Sequence, residues 1–160
     1  MFDIMNSLYI TGAGVSKQSG IPTFRGEDGF WTIGSTNYTP QEMATRQMYC
    51  NKPDEFLLWY YQRFVTSKDV SPNIAHRWLA NKRLITQNID GLDGKAGNES
   101  YIAIHGRLDK VTIFRGQDKH QELLNAPWEE VAKLKIENED RDRLKRALME
   151  SFKISPLTKR

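Results

Sequence analysis

The chain has 160 residues, 23 basic and 20 acidic side chains, and a formal net charge of +3. That length fits one domain, and a hydrophobic share of 39% with 11% aromatics is enough for a packed core, which argues against wholesale disorder. No apolar run approaches the roughly 18–20 residues of a membrane span, Met1 to Ile10 lacks the basic start and long apolar stretch of a secretory signal, and the single cysteine, Cys50, excludes an internal disulfide and a four-cysteine zinc site. A soluble protein of a reducing, cytoplasmic compartment fits this cysteine usage. The basic excess is too small and too dispersed to make nucleic acid the expected partner.

In chain order, Ser7-Leu8-Tyr9-Ile10-Thr11 is a short apolar run ended by Gly12 and predicts a buried strand. Thr39-Pro40-Gln41-Glu42 predicts a helix start, with Thr39 as cap, Pro40 at the first helical position and Glu42 closing a capping box. Pro53 opens a second helix in which Phe56, Tyr60 and Phe64 recur every four residues beside Leu57. Ser71-Pro72 opens a third, expected to bury Ile74, Trp78 and Leu79. Arg83–Thr86, Tyr101–Ile104 and Lys110–Phe114 read as strands. Pro127–Lys135 and Glu139–Phe152 read as helices, the second burying Leu144, Leu148 and Phe152. Strands alternating with helices predict an α/β fold with a largely parallel sheet. Ten of the 11 glycines lie at or before Gly106, so the first two-thirds holds the tight turns, whereas the segment from Arg107 on is glycine-poor and charged.

Thr11-Gly12-Ala13-Gly14-Val15-Ser16 follows the first strand directly. Its two glycines let the backbone turn sharply and present N–H groups, and a helix starting there would direct its positive end at a phosphate. Lys17 stands where the dinucleotide fingerprint has its third glycine, so Gly-Ala-Gly alone equally describes a strand-to-helix turn without a ligand. Gln87, Asn88 and Asp90 follow the Arg83–Thr86 strand at its C-terminal end, where parallel sheets bind ligands. Alone, they describe a polar turn. Of the three histidines, His105 closes the Ile102–Ile104 run ahead of Gly106 and can serve as a general base near neutrality. His76 falls on the Pro72 helix in a structural place, and His120 in a charged, solvated loop.

The glycine turn continues as Ser16-Lys17-Gln18-Ser19-Gly20-Ile21-Pro22-Thr23-Phe24-Arg25-Gly26, then Gly29-Phe30-Trp31. Here the chain resembles the sirtuin family of NAD-dependent protein lysine deacylases, whose signature Gly-Ala-Gly-x-Ser-x-x-Ser-Gly-Ile-Pro-x-Phe-Arg-Gly is present at every fixed position. Thr86-Gln87-Asn88-Ile89-Asp90-Gly91-Leu92 resembles the family's nicotinamide-pocket motif, Ile104-His105-Gly106 its catalytic-histidine segment, and Pro72-Asn73 with Ala75-His76 the pattern before the second motif. The resemblance covers about residues 8–110. It implies a Rossmann-like parallel sheet with flanking helices, of the deoxyhypusine synthase-like NAD-binding type. It also implies that backbone N–H groups of Gly12, Ala13 and Gly14 cradle the NAD pyrophosphate, with Ser16 adding a hydroxyl, capping a helix, or both. Ile21 and Pro22 would form an apolar ledge of a cofactor-binding loop, with Phe24 over the reactive ribose face and Arg25 ordering NAD. Gln87 and Asn88 would contact the nicotinamide ribose, Ile89 wall the pocket, Asp90 hold the carboxamide, and His105, with Asn88, carry catalysis. In that chemistry the acyl oxygen of an acyl-lysine protein attacks C1′ of NAD, nicotinamide leaves, and the acyl group ends on ADP-ribose.

The sequence departs from the family in three places. The family's small zinc module, built on two Cys-x-x-Cys pairs, is excluded by the cysteine count, and charged helices stand in its place, as in zinc-less bacterial or phage-type members. Residues 1–160 then form one domain, with NAD-binding motifs over 1–110 and the charged helical segment over 111–160. The second half of the family's sheet, with its Gly-Thr-Ser turn and peptide groove, is not found before Arg160. Asp93 stands where the family usually has His. The expected function is NAD-dependent deacylation. A non-catalytic NAD-binding module, and an NAD hydrolase or ADP-ribosyltransferase using the same pocket, are the alternatives. An open sheet edge or face would favour self-association or a partner chain.

Overall fold

The computed structural model describes residues 7–23, 38–112 and 123–154. Strand β1 (Leu8–Thr11), β2 (Arg83–Thr86) and β3 (Ile102–Ala103) form a parallel sheet in that order. Tyr9 lies beside Leu84, Ile10 beside Ile85, and Ile85 beside Ile102. Strand alternation puts Leu8, Ile10, Ile85 and Ile102 on one face and Tyr9, Thr11, Leu84, Thr86 and Ala103 on the other. Helix α4 (Ile74–Leu79) covers the second face, where the Trp78 ring meets Tyr9 edge-on at 5.1 Å. The first face stays open: Leu8, Ile10, Ile102 and the adjacent Ile104 are 50–67% exposed.

The main apolar core lies away from the sheet. Helices α1 (Pro40–Met43), α2 (Arg46–Asn51) and α3 (Pro53–Ser67) follow one another. The predicted capping box is present, with Thr39 Oγ1 accepting from the Glu42 N–H while Glu42 accepts from the Thr39 N–H at 2.7 Å. Leu57, Leu58 and Tyr61 of α3 are buried with Trp128 and Val131 of α6 (Trp128–Lys133), Leu144 and Leu148 of α7 (Arg141–Ser151), and Ile154. Trp128 closes this core polarly as well, its Nε1–H donating to the Leu108 carbonyl at 2.6 Å. Lys145 of α7 reaches Glu55 of α3 at 2.6 Å and Asp54 at 3.4 Å.

Several sequence expectations change here. Leu79 of α4 is buried as expected, but Ile74 and Trp78 are 72% and 55% exposed, because this six-residue helix turns His76 inward beside Leu79 instead. Phe56, Tyr60 and Phe64 are half-buried around the core, while their neighbours Leu57, Leu58 and Tyr61 fill it and Trp59 joins Met43 and Met48 in a second buried cluster. The Tyr101–Ile104 strand shortens to two residues. Lys110-Val111 (β4) leaves the parallel sheet and pairs antiparallel with Leu124-Asn125 (β5). The charged C-terminal helices α6 and α7 pack on α3, with Leu144 and Leu148 buried as expected and Phe152 only partly so.

Candidate active site

Three chain segments leave the sheet at the same edge, each just past the C-terminal end of a parallel strand. After β1, the chain turns at Gly12 into a 3-10 helix, Ala13–Ser19, closed by Gly20 in the left-handed conformation at φ 91°. The turn is therefore two tight coils rather than a long α-helix, and backbone N–H groups, not a macrodipole, are what it offers. After β2 come Gln87–Asp90, and the Gln87 N–H donates to the Thr11 carbonyl at 3.0 Å. After β3 comes His105, the Ile104 N–H having donated to the Thr86 carbonyl at 3.0 Å. The short helix α5 (Leu92–Lys95) then starts at Gly91, which takes φ 75°.

A buried polar network fastens the first two segments together. Asn88 is 5% exposed, and its Nδ2 donates to Ser16 Oγ at 3.1 Å and to the Gly12 carbonyl at 3.2 Å. Ser16 Oγ passes its own proton to Asp90 Oδ2 at 2.7 Å. His76 is fully buried behind them. The Asn73 N–H can only donate, so His76 Nδ1 accepts it at 3.3 Å, and the ring proton sits on Nε2, 3.4 Å from Ser16 Oγ. Asn73 caps α4 and also donates through Nδ2 to the Val15 carbonyl at 2.7 Å, binding α4 to the glycine turn. The opposite Asp90 oxygen accepts from the Leu92 N–H at 2.9 Å.

At the exposed edge of this network, His105 Nδ1 lies 3.1 Å from the Gln87 carbonyl oxygen. A carbonyl only accepts, so Nδ1 carries the proton, which leaves Nε2 as the acceptor nitrogen of the neutral ring. That is the tautomer a general base needs. The loop after His105 is braced by a bidentate Arg107–Asp109 pair, at 2.9 and 2.6 Å. Burial pushes the Asp109 carboxyl up, but the hydrogen bond and charge of Arg107 outweigh it and hold Asp109 below its ordinary value.

Two observations make this edge receptive to a polar ligand. Asn88 Oδ1 is buried and has no hydrogen-bond partner among the described residues, an expensive state for an amide oxygen. At Gly14, an added Cβ would meet no atom within 4 Å, and at Gly12 the nearest is Gln87 Oε1 at 4.0 Å. The backbone of the turn thus borders free space beside an unsatisfied acceptor. No group of three or more metal-binding side chains occurs among the described residues.

The structure gathers Gly12, Ala13, Gly14, Ser16, Gln87, Asn88, Ile89, Asp90 and His105 at this one edge. Ile21 is buried at the end of the glycine turn, next to the half-buried Pro22. Phe24 and Arg25 lie outside the described residues, as does His120. The sequence gives His76 a structural place, names Asp93 as a departure from the family, and carries Asn73 and Thr86 within the family's motifs, but it does not reveal the contact of His76 with the turn or the hydrogen bonds that Asn73 and Thr86 make beneath the site. An Asn just ahead of a helix is a capping signal that could have flagged Asn73.

The Sir2 family profile matches residues 12–140, beyond the last of the three motifs. The chain belongs to the Sir2 family. It is 42% identical over 135 residues to NAD-dependent protein deacylase 1 of Caldanaerobacter subterraneus subsp. tengcongensis, covering 77% of this chain and 54% of that protein. It is 40% identical over 126 residues to the NAD-dependent protein deacylase of Aquifex aeolicus, covering 73% and 51%. Among solved structures, a Sir2 homolog–NAD complex superposes with a TM-score of 0.60 at 36% identity, covering 74% of this chain and 46% of that one. A mutant Sir2 homologue in an ADP ribose complex gives 0.63 at 36% identity, covering 76% and 50%. The chain spans about half the length of the curated relatives it matches.

Proposed function

We propose that this chain provides the nucleotide-binding and general-base part of an NAD-dependent protein lysine deacylase, acting on acyl-lysine proteins. The observation that supports it most is the buried, unpartnered Asn88 Oδ1 beside the open backbone of Gly12–Gly14. An NAD molecule has the diphosphate and ribose hydroxyls that such an acceptor and such N–H groups would take, so the residues fit the group. When bound, NAD would supply an anomeric carbon activated by its nicotinamide leaving group.

The chain's own residues divide the work. Gly12, Ala13 and Gly14 receive the diphosphate through the backbone. Ser16 aligns Asn88 and Asp90, its hydroxyl donating a hydrogen bond to Asp90 and accepting one from Asn88. Asn88 and Gln87 hold the ribose, Asp90 the carboxamide, and Ile89 the pocket wall. His105 accepts a ribose proton at Nε2, the nitrogen left free by its bond to the Gln87 carbonyl. Phe24 and Arg25 complete the ligand contacts in this reading, as do Ile21 and Pro22. The charged segment 111–160 stands where other members have a zinc module, and the lone Cys50 suits a reducing, cytoplasmic setting. No described helix is long and apolar enough to cross a membrane. The open apolar sheet face supports self-association of the chain.

The test is nicotinamide release from NAD with an acetyl-lysine peptide. Release that depends on the peptide, with O-acetyl-ADP-ribose formed, supports deacylation. Peptide-independent release points to hydrolase or transferase chemistry. NAD binding without any release leaves a binding module.

A further inference from the structure

Trp128 belongs to the helical core, but its one polar side-chain atom serves the strand ends. The residue is 4% exposed, and its ring packs against Phe152 at 4.5 Å and Phe64 at 6.1 Å between ring centres. Its Nε1–H can only donate, and it donates to the Leu108 carbonyl at 2.6 Å, 20 residues back in the chain. Leu108 is a joint between two regions. Its side chain packs against the helical core, and its own N–H donates to the Ile89 carbonyl at 2.9 Å. Ile89 stands between Asn88 and Asp90, and Leu108 follows His105 by three residues. This pair of hydrogen bonds therefore runs from the core into the pocket wall, and it closes the His105 loop against the segment after β2. Neighbouring bonds brace the same stretch: the Ala126 N–H donates to the Asp109 carbonyl at 3.0 Å, and Lys110 Nζ donates to Asn125 Oδ1 at 2.6 Å.

We infer that Trp128 is a positioning residue for the site: its indole N–H holds Leu108, and Leu108 fixes the spacing between the Gln87–Asp90 segment and His105. A phenylalanine would fill much of the same ring stack, so packing alone does not call for an indole, and the N–H is what Trp adds. Without it, a half-buried carbonyl loses its donor, and Leu108 shifts to find another. That movement passes to the Ile89 carbonyl and to the His105 loop, where Nδ1 meets the Gln87 carbonyl. A cavity elsewhere in the core leaves the indole N–H in place and does not have this effect. The bearing on NAD rests on the proposed function, but the geometry does not.

The experiment makes two replacements in the 160-residue chain. Trp128→benzothienylalanine keeps the two-ring shape and puts sulfur where the N–H was, and Trp128→Phe removes the N–H with some of the ring area. Leu108 amide exchange and the His105 imidazole nitrogen shifts are followed by NMR in the ligand-free chain, and NAD affinity by calorimetry. Both replacements are expected to speed Leu108 exchange and weaken NAD binding, each about three- to tenfold, the scale of one hydrogen bond. The His105 nitrogens should move away from the pattern of an Nδ1–H bonded to a carbonyl. Leu148→Ala controls for core packing: it lowers the melting temperature but should leave NAD affinity and the His105 nitrogens native, measured below its transition. If the Phe chain does not fold, the benzothienyl chain carries the test. Native-like Leu108 exchange in the folded benzothienyl chain overturns the inference. So does faster Leu108 exchange with native His105 nitrogens and native NAD affinity, which would confine Trp128 to folding. If the native chain binds no NAD while the Leu108 amide and the His105 nitrogens respond, the positioning role stands and the nucleotide reading falls.

Discussion

The helical core and the strand-end pocket are built on opposite principles. Around α3, α6 and α7 the buried groups are mainly apolar, Leu57, Leu58, Val131, Leu144 and Leu148, while the buried Arg63 and Ser67 of α3 donate to carbonyls of their own helix and Lys145–Glu55 spans α7 and α3. At the strand ends the buried groups are Ser16, His76, Thr86, Asn88 and Asp93, joined by hydrogen bonds, with Asn88 Oδ1 and Asp93 Oδ1 left over. Apolar burial tolerates small shifts and supplies most of the folding energy. A buried polar network is costly unless satisfied, so each atom it leaves over is a place for a partner, whether ordered water or ligand, to complete it. The main apolar core and the proposed nucleotide site therefore lie in separate parts of the chain.

The largest separation should come from His105→Ala. Loss of a general base typically slows turnover about 100- to 10,000-fold, while NAD affinity and the melting temperature stay near native, since His105 is exposed and its hydrogen bond among the described residues is to the Gln87 carbonyl. Nicotinamide release and calorimetry on one preparation check this, and near-normal turnover would remove His105 from its role. Leu148→Ala should do the reverse, costing about 2–5 kcal/mol of stability from a fully buried core position. Its NAD affinity, measured below its own melting transition, should be unchanged. A variant that binds NAD much more weakly would show that the two regions are coupled.

The legible part of the fold was the part written locally. The Thr39–Glu42 capping box, the Pro53 helix and the strand ended by Gly12 are short-range signals, and all three appear. The three motifs gathered at one edge because each follows a strand and parallel strands bring their C-terminal ends together. What failed were choices between partners. Four-residue spacing in α4 could not tell that Ile74 and Trp78 would face outward, because burial there was decided by His76 reaching Ser16, 60 residues away in sequence. Amphipathic patterning in α7 gave its buried face but not that α3, rather than the sheet, would cover it. Thr86 and Asp93 stood out only through the family resemblance, and their burial was not legible, since a buried polar residue is recognised only by the atoms that satisfy it.

The open sheet face sharpens the contrast further. With Leu8, Ile10, Ile102 and Ile104 exposed, sedimentation velocity should show concentration-dependent association. Ile10→Lys should reduce it without changing NAD affinity, and a monodisperse native monomer would oppose the self-association reading. A smaller effect concerns pH. Burial pushes the Asp93 carboxyl above its ordinary value of 3.8, against the pull of His76 and with the repulsion of Asp90 added. In that window the folded chain binds the proton more tightly than the unfolded one, so stability falls as pH rises from about 3.8 to the raised value and is level above it. Asp93→Asn should flatten this part of the denaturation profile, and an unchanged slope would contradict the assignment.

The central claim is that the Gly12–Gly14 turn and Asn88 form a nucleotide site. Gly14→Val tests it most directly, because the Cβ added at Gly14 meets no atom within 4 Å in the ligand-free chain. Calorimetric titration of NAD into native and variant chains, paired with thermal melts, should show saturable binding to the native chain. The variant should melt within a few degrees of it but bind at least about tenfold more weakly, its side chain filling the space of the diphosphate. Equal NAD affinity in the two chains would contradict the account.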